Sequence, residues 1–425
     1  MEQYGKILLF VMPAFLILVL FEKWYGWYKG NDTVRLMDMI SSLSSGVTNA
    51  TKDVLKLSIG ILSYSWMVEH LAIIEIKNTV LTYIIAFFVI DFQGYWVHRW
   101  SHHINYFWNR HIIHHSSEEF NLACALRQSI SSFVSLFTFL LLPAALLGVP
   151  LQVIAILAPL HLFAQFWYHT RHIGKMGILE KIIVTPSHHR VHHAINKEYL
   201  DKNLSQIFIF WDKLFGTFQE ELDEVPCVYG ITRPVSTWNP IKINFQHMWL
   251  LIKDAWRANS VWDKMRIWFM PTGWRPADVE EKYPVFKIDN PYDFEKYNPK
   301  YSKGMLVWSL TQMVLLLGFI SYLFGNIAEI GSPGMFIYGA FVFLFVYAYT
   351  ELMDRNENTL LWESLKSIMG IALIYYLGDW FGANQFIPWM NYVLITYFII
   401  SIAVVGYFVL VEFKSDEQQV SMSLS

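Results

Sequence analysis

Long apolar runs separated by short polar turns dominate the chain. A helix that crosses a bilayer needs roughly 20 predominantly apolar residues. The stretches that approach this length are 6–22, 54–74, 79–97, 130–148, 150–168, 304–324, 333–350, 360–379 and 389–411. The pattern therefore predicts an all-α, polytopic integral membrane bundle of about nine spans.

Short turns at 75–78, 148–150, 325–334 and 379–388 join neighbouring spans into hairpins. The intervening polar segments then fall on one side of the membrane, and these segments carry nearly all the Lys and Arg. Lys77 is the exception on the opposite side. The positive-inside rule places the basic side in the cytoplasm, of either a bacterial inner membrane or an endoplasmic reticulum.

Composition agrees with a membrane protein. Hydrophobic residues make up 54% of the 425 residues and charged residues only 16%. The net charge of −3 gives no basic patch for nucleic acid. Cys124 and Cys227 lie far apart with no CxxC partner, which argues against a thiolate metal site.

The pattern divides the chain into four regions. We expect N-terminal spans over 1–84, a histidine-motif domain over 85–220, a cytoplasmic or interfacial amphipathic region over 221–303, and C-terminal spans over 304–425. The Trp-rich stretch 241–269 is typical of amphipathic helices in the membrane interface, and an ordinary soluble cap is the alternative. The C-terminal spans could wall a lipid entrance, contact a partner or stabilise the bundle.

Most of the 15 histidines fall in three dense segments, 98–103, 111–115 and 188–193. Residues three and four apart share one face of a helix, so neighbouring rings can reach one ion. Nine histidines with this spacing, or at the same membrane face, are plausible metal ligands: His98, His102, His111, His114, His115, His169, His189, His192 and His193. His172 or His188 could add a tenth, and the number favours two ions.

The residue types narrow the chemistry. Imidazole suits iron, zinc, copper and nickel. The clusters contain no Glu and no HExxH motif, so the nitrogen ligands fit O2-activating iron better than hydrolysis, although spacing alone does not exclude zinc.

Polar residues near the clusters are candidates for orienting these ligands, since a ligating imidazole usually donates its other N–H to an oxygen. Asp91 precedes His98 by two helical turns near the membrane interior, where a charge requires a partner. For Asn121, Asn203, Asp212, Arg127 and Gln128, ligand orientation and structural capping remain equally open. We expect His161 to be a hydrogen-bonded packing residue, and Glu118 and Glu119 to lie in a solvated loop.

Five segments carry a resemblance to the sterol desaturase / fatty acid hydroxylase superfamily. They are Asp91-Phe-Gln-Gly-Tyr-Trp-Val-His-Arg99, His114-His-Ser-Ser-Glu-Glu-Phe-Asn-Leu122, Ala125-Leu-Arg-Gln-Ser129, Thr185-Pro-Ser-His-His-Arg-Val-His-His193 and Trp211-Asp-Lys-Leu-Phe-Gly-Thr217. Segments 166–170 and 273–276 are similar to the alkylglycerol monooxygenase branch. The resemblance implies a membrane-bound, non-haem di-iron oxygenase that acts on a lipid. It also implies eight catalytic iron ligands, His98, His102, His111, His114, His115, His189, His192 and His193.

The chain departs from the family pattern at two positions. His103 stands where the alkylglycerol branch commonly has a Glu associated with tetrahydrobiopterin, so this pterin is a candidate cofactor that the position does not support. Gln165 and His169 stand where fatty acid hydroxylases carry an additional HxxxH pair, and only His169 matches.

The sequence thus predicts an enzyme that hydroxylates a C–H bond of an ether lipid, a sterol or a fatty acyl chain. Dioxygen is the oxidant, and an external donor supplies electrons because no GxGxxG or CxxCH motif is visible. Desaturation by the same centre is the main alternative. A metal transporter or sensor and an inactive scaffold are further alternatives, which the crowding of ligands at one interface and the complete ligand set disfavour.

Overall fold

The structure, a computed structural model, describes residues 1–74, 76–77 and 79–415. The predicted turn at 75–78 and the C-terminal tail therefore lie partly outside the described residues. The fold is helical apart from a two-residue parallel pair, β1 (Ile59–Gly60) with β2 (Val134–Ser135).

The described N-terminal half contains one group of helices that ends with the first histidine segment and a second group that follows it. The first group is α1 (Glu2–Tyr28), α2 (Leu36–Val54), α3 (Tyr64–Leu71) and α4 (Val80–His103). The second is α5 (Asn105–Trp108), α6 (Ile112–His115), α7 (Leu142–Leu146), α8 (Leu151–Phe163), α9 (Pro186–His192) and α10 (Phe210–Phe215).

The C-terminal half contains a polar cap and a bundle of long helices. The cap holds α11 (Pro240–Arg257), α12 (Val261–Arg266) and α13 (Ala277–Lys282). The bundle holds α14 (Lys303–Gly325), α15 (Ile327–Ile330), α16 (Gly334–Met353), α17 (Thr359–Leu377) and α18 (Met390–Tyr407), which continues as a π-helix over Phe408–Phe413.

Six helices of the described chain, α1, α4, α14, α16, α17 and α18 with its extension, are long and apolar enough to cross a membrane. This differs from the expected nine, because the stretches 54–74, 130–148 and 150–168 do not form long helices. The 54–74 stretch begins at the end of α2, passes through β1 and forms only the eight-residue α3, for which Ser63 is the N-cap. Such a helix is about 12 Å long, far less than the roughly 30 Å of a bilayer core.

The 130–148 and 150–168 stretches form a short hairpin of α7 and α8 that packs on α3 and α4. Proline begins or precedes both helices, and α8 has only 13 residues. Small and branched side chains close this contact, namely Ala86, Ile90, Ala144, Val149 and Val153. The outer face of the hairpin stays exposed, as at Leu151, Leu160 and Phe163, so protein covers only one side of it.

The buried helix α2 occupies the predicted polar segment 23–53. Its Ser and Thr hydroxyls bond within the helix or to neighbouring segments: Ser44 Oγ donates to the Ile40 carbonyl at 2.5 Å, and Ser41 Oγ donates to the Trp238 carbonyl at 2.7 Å. One hydrophobic core joins α1 and α2 to α14, α16, α17 and α18. The polar face of α2 lies towards the histidine segments, so this helix connects the C-terminal bundle to the site.

Candidate metal centre

The end of one long helix and two short helices carry or flank eight of the predicted histidine ligands. The last turns of α4 carry His98 and His102 at the end of a long apolar helix. Helix α6 carries His114 and His115, with His111 as its N-cap residue. Helix α9 begins with a capping box at Thr185 and Pro186 in its first turn. A proline with fixed φ and a capping hydroxyl favour this helix start, which fixes the phase of the histidines that follow.

These elements bring all nine histidines into two groups, in each of which one nitrogen per ring lies within 4.8 Å of the others. The first group is His98, His102, His111, His115 and His192, and the second is His114, His169, His189 and His193. Sequence neighbours on α6 and α9 separate into different groups. The structure thus resolves one dense cluster into two adjacent sites of five and four imidazoles.

The distances between ring nitrogens fit metal coordination. In the first group, His111 Nε2 lies 2.8 Å from His98 Nε2 and 3.0 Å from His115 Nε2. In the second, His189 Nε2 lies 2.8 Å from His169 Nε2 and 3.0 Å from His193 Nε2. At a metal–imidazole bond of about 2.1 Å, two nitrogens that bind one ion at right angles lie about 3.0 Å apart. Both donor sets therefore fit one ion each.

Hydrogen bonds on the opposite side of the rings fix their tautomers. His98 Nδ1 donates to the Leu204 carbonyl at 2.7 Å, and His192 Nδ1 donates to the Lys202 carbonyl at 3.0 Å. His169 Nδ1 donates to the Gln165 carbonyl at 3.0 Å. A carbonyl only accepts, so Nδ1 carries the proton and Nε2 keeps the lone pair that a metal requires.

Seven of the rings are also held neutral, because their pKa values are lowered. Burial, followed by repulsion from neighbouring histidines, places the pKa values of six of them well below the ordinary value: His111, His114, His115, His189, His192 and His193. Burial lowers the pKa of His169 to about 3. His192 Nε2 is buried with no hydrogen-bond partner in the described structure. A metal ion would satisfy this nitrogen, since an unpaired buried acceptor is otherwise costly.

Known proteins with this pattern identify the family. A model of the fatty acid hydroxylase family matches residues 83–217, which include all nine histidines. The human alkylglycerol monooxygenase is 33% identical over 368 residues, covering 85% of this chain and 81% of that protein. The Danio rerio alkylglycerol monooxygenase is 31% identical over 384 residues, covering 89% and 84%. The chain belongs to the fatty acid hydroxylase family, on its alkylglycerol monooxygenase branch.

A bacterial member shows a shorter match. An ornithine lipid hydroxylase of Rhizobium tropici is 26% identical over 153 residues, covering 36% of this chain and 46% of that protein. No solved structure is significantly similar to the chain.

Two polar residues of the family segment support the first group through the backbone. Asp212 accepts from Leu204 N at 2.7 Å, Ser205 N at 2.9 Å and Thr217 Oγ1 at 2.6 Å. It thereby fixes the peptide whose carbonyl meets His98. Asn203 donates to the carbonyls of His188 and Gln219, which joins this loop to α9.

Asp91 and Asn121 make their hydrogen bonds farther from the ligand rings. Asp91 accepts from His161 Nε2 at 2.7 Å and from Trp211 Nε1 at 2.9 Å, so it holds α8 and α10 against α4. His161 is thus hydrogen-bonded within the packing, as expected. Asn121 donates to the Thr33 carbonyl and caps the following turn.

Six of the 15 histidines lie outside both groups, and they include the two candidates for a tenth ligand and the residue at the position of the family Glu. His172 Nε2 meets Thr33 Oγ1 at 3.2 Å, and His188 Nδ1 lies 3.3 Å from Thr185 Oγ1. His103, at the position of the family Glu, has a side chain that is 39% exposed and lies 3.8 Å from Asp201.

Sequence reasoning missed Asp201 and Asp38. Asp201 Oδ1 lies 3.2 Å from His102 Nδ1, which makes it a carboxylate partner of a candidate ligand. Asp38 on α2 forms a buried ion pair with Arg127 at 2.6 Å, while the Arg127 carbonyl accepts from His114 Nδ1. Neither acid lies in a histidine segment, so no spacing indicated it. Asp201 has a positive φ of 56°, which Asp tolerates better than most residues. This conformation is visible in the structure but not in the sequence.

The expectation that Glu118 and Glu119 lie in a solvated loop is wrong, because both side chains are buried. Glu119 pairs with Arg35, Arg171 and Lys296. Burial raises the pKa of Glu118 to about 7, against the hydrogen bond from Tyr297 N. These two acids join the loop after α6 to the cap.

A cavity of about 240 Å³ adjoins the first group. Its lining includes His102, His115 and His192 on one side and Trp108, Trp274 and Arg233 around them. Arg233 and Trp274 lie beyond the matched family segment, so the cap completes the surroundings of the site.

Proposed function

We propose that the chain is a membrane-bound lipid hydroxylase whose two histidine groups hold two iron ions. The observation that carries this proposal is the pair of adjacent, all-imidazole groups at the end of a membrane helix. Lipid hydroxylation is also the activity in the names of its alkylglycerol and ornithine lipid relatives.

The donor sets favour iron and dioxygen over hydrolysis. Each group consists of imidazoles without a carboxylate, whereas zinc hydrolases of the HExxH type pair their metal with a Glu base. The five and the four imidazoles would each hold one iron ion, and bound iron would supply the reductive activation of dioxygen.

The remaining tasks belong to the protein. Carbonyls and Asp201 hold the Nδ1 protons, so the Nε2 lone pairs stay directed at the ions. Eight of the nine rings are buried, which limits their contact with bulk water. One oxygen atom enters the lipid C–H bond and the other leaves as water, which consumes two electrons and two protons. An external donor supplies the electrons, for which tetrahydrobiopterin and a reduced protein are two candidates.

For the substrate, we favour an ether lipid over a sterol or a fatty acyl chain, since two relatives that match over more than 80% of both chains are named alkylglycerol monooxygenases. We also propose that the centre faces the cytoplasm, on the basis of the Lys and Arg distribution.

Product analysis under labelled dioxygen tests this function. Detergent-purified protein would be loaded with Fe(II) anaerobically, reduced, and given an alkylglycerol, a sterol and a fatty acid ester under ¹⁸O2. We expect O2 consumption and one ¹⁸O atom per product. His189→Ala should abolish both, and His70→Ala, on exposed α3, should not.

Two outcomes would contradict the proposal. Absence of O2 consumption with every lipid class would exclude the oxygenase. Consumption that yields an unlabelled double bond would establish a desaturase instead.

A further inference from the structure

The cavity beside the first histidine group contains a cation, Arg233, that makes no ion pair in the described residues, and the carboxylate in the lining, Asp201, faces His102 and His103 instead. Arg233 is partly buried and lines this cavity. Within the described part of the chain it has neither an ion pair nor a hydrogen bond, and the charged groups that influence it are Arg275 and Asp254. Burial and the nearby Arg275 lower the pKa of Arg233.

The other cations around the cavity are already paired. Arg275 forms a two-point ion pair with Asp254, at 2.6 Å and 3.0 Å. Lys287 Nζ donates to Glu280 at 3.2 Å. Asp254 is therefore engaged by Arg275 and does not neutralise Arg233.

A second donor in the cavity is also unsatisfied. Thr272 Oγ1 is buried with no hydrogen-bond partner in the described structure, and Thr272 lines the same cavity. An uncompensated guanidinium and an unpaired hydroxyl both cost free energy when they are removed from water. An acceptor with negative charge would satisfy both groups.

The size and place of the cavity bear on this ligand. The cavity of about 240 Å³ is partly open, so a small polar group fits inside it and the rest of a larger ligand can extend outward. The backbone just after α4 is hydrogen-bonded to the cap, with Asn105 N donating to the Met270 carbonyl and Tyr106 N to the Trp268 carbonyl. The cap therefore meets the end of a membrane helix, where lipid headgroups lie.

We infer that this cavity binds an anionic group, a phosphate or carboxylate, through Arg233 and Thr272. The planar guanidinium presents paired donors that match such a group. Assigning the anion to the headgroup of the lipid substrate rests on the proposed hydroxylase function, whereas the anion site itself does not.

Binding without turnover tests the site. The full chain in detergent would be titrated with dihexanoyl phosphatidate, uncharged dihexanoylglycerol and inorganic phosphate. Trp108 and Trp274 line the cavity and report binding by fluorescence. We expect phosphatidate to bind and Arg233→Gln to weaken it at least tenfold, with a smaller loss for Arg233→Lys. Lys175→Gln, which removes an exposed cation, should bind like the wild type.

The source of the anion follows from the comparison of ligands. Phosphatidate binding that exceeds phosphate binding at least tenfold identifies a lipid headgroup, and equal affinities identify a free anion. Either result supports the site if it depends on Arg233.

Thermal unfolding separates loss of binding from misfolding. Because Arg233 is unpaired without ligand, Arg233→Gln should melt no lower than the wild type, and phosphatidate should raise the melting temperature of the wild type alone. Equal binding by wild type and Arg233→Gln, or no anion binding by the wild type, would overturn the site. A chain that binds phosphatidate through Arg233 but consumes no O2 would refute only the hydroxylase.

Discussion

The direction of each imidazole decides the chemistry at the residue scale. Spacing predicted eight of the nine histidines that gather, because i, i+3 and i+4 positions share a helix face, and the membrane face predicted His169. It did not predict that His114 and His115 would enter different groups. That separation depends on partners far along the chain, such as the Arg127 carbonyl for His114 and the Leu204 carbonyl for His98.

Asp201 should tune the first group selectively. Asp201→Asn keeps the size of the side chain but removes the charge that faces His102. Loss of such a partner typically lowers metal affinity by about 10- to 100-fold. We expect one of the two ions to be lost preferentially to a chelator, measured by elemental analysis. Asp223→Asn, an exposed site, serves as the control, and equal retention in both variants would show that Asp201 does not support the metal.

Glu118 should make stability depend on pH. Its pKa is raised by burial from 4.5 to about 7, so the folded state favours the proton. The associated stability is present below pH 4.5 and is lost as the pH rises through 7. Glu118→Gln should therefore gain stability over the wild type at pH 8, by roughly 3 kcal/mol at most, and little at pH 4.5. If thermal melts showed the same gain in stability from Glu118→Gln at pH 4.5 and at pH 8, the raised pKa of Glu118 would be refuted.

At the element scale, the long apolar helices and the histidine-bearing ends could be predicted, whereas the short elements could not. Hydropathy identified α1, α4 and the C-terminal bundle helices because each has enough apolar residues to cross a bilayer. It failed for 54–74 because Ser58, Gly60 and Ser63 end the helix that the apolar residues suggested. It also missed α2, because the Ser and Thr residues of this helix suggested an exposed polar segment, whereas their hydroxyls are buried.

The cap helices should lie in the membrane interface. Trp256 is 85% exposed and Trp262 is 64% exposed, beside Lys253 and Lys264. Exposed aromatic and basic side chains on adjoining helices favour the headgroup layer. In vesicles with brominated lipid, Trp256→Phe should remove part of the quenched tryptophan emission. Trp238→Phe, at a buried site, should not. Equal quenching losses in the two variants would favour a soluble cap.

At the scale of the whole molecule, the C-terminal bundle supports the site through α2 and the cap. Glu351 on α16 pairs with Lys242 on α11, and Asn239 also donates to Glu351. These contacts join the bundle to the cap without placing a histidine in it. The sequence left this role open because the contacts join residues that are more than 100 positions apart in the chain.

A buried ion pair inside the bundle should be essential to its stability. Lys366 on α17 meets Glu363 at 2.8 Å, and both are almost fully buried with Gln312 and Tyr397 nearby. Lys366→Met leaves an uncompensated carboxylate, which costs about 3–5 kcal/mol. The double variant with Glu363→Met should recover most of this loss in denaturant unfolding. Lys6→Met, which breaks an exposed pair with Glu2, should change little. A single variant as stable as the wild type would contradict the pairing.

The number of metal ions per chain tests the central claim most directly. Anaerobically iron-loaded protein would be examined by elemental analysis and Mössbauer spectroscopy, beside His102→Ala in the first group and His189→Ala in the second. The account predicts about two irons per wild-type chain and about one in each variant, with the coupled signal of the wild type absent from both. A single ion in the wild type, or zinc that persists after iron loading, would contradict a two-iron centre.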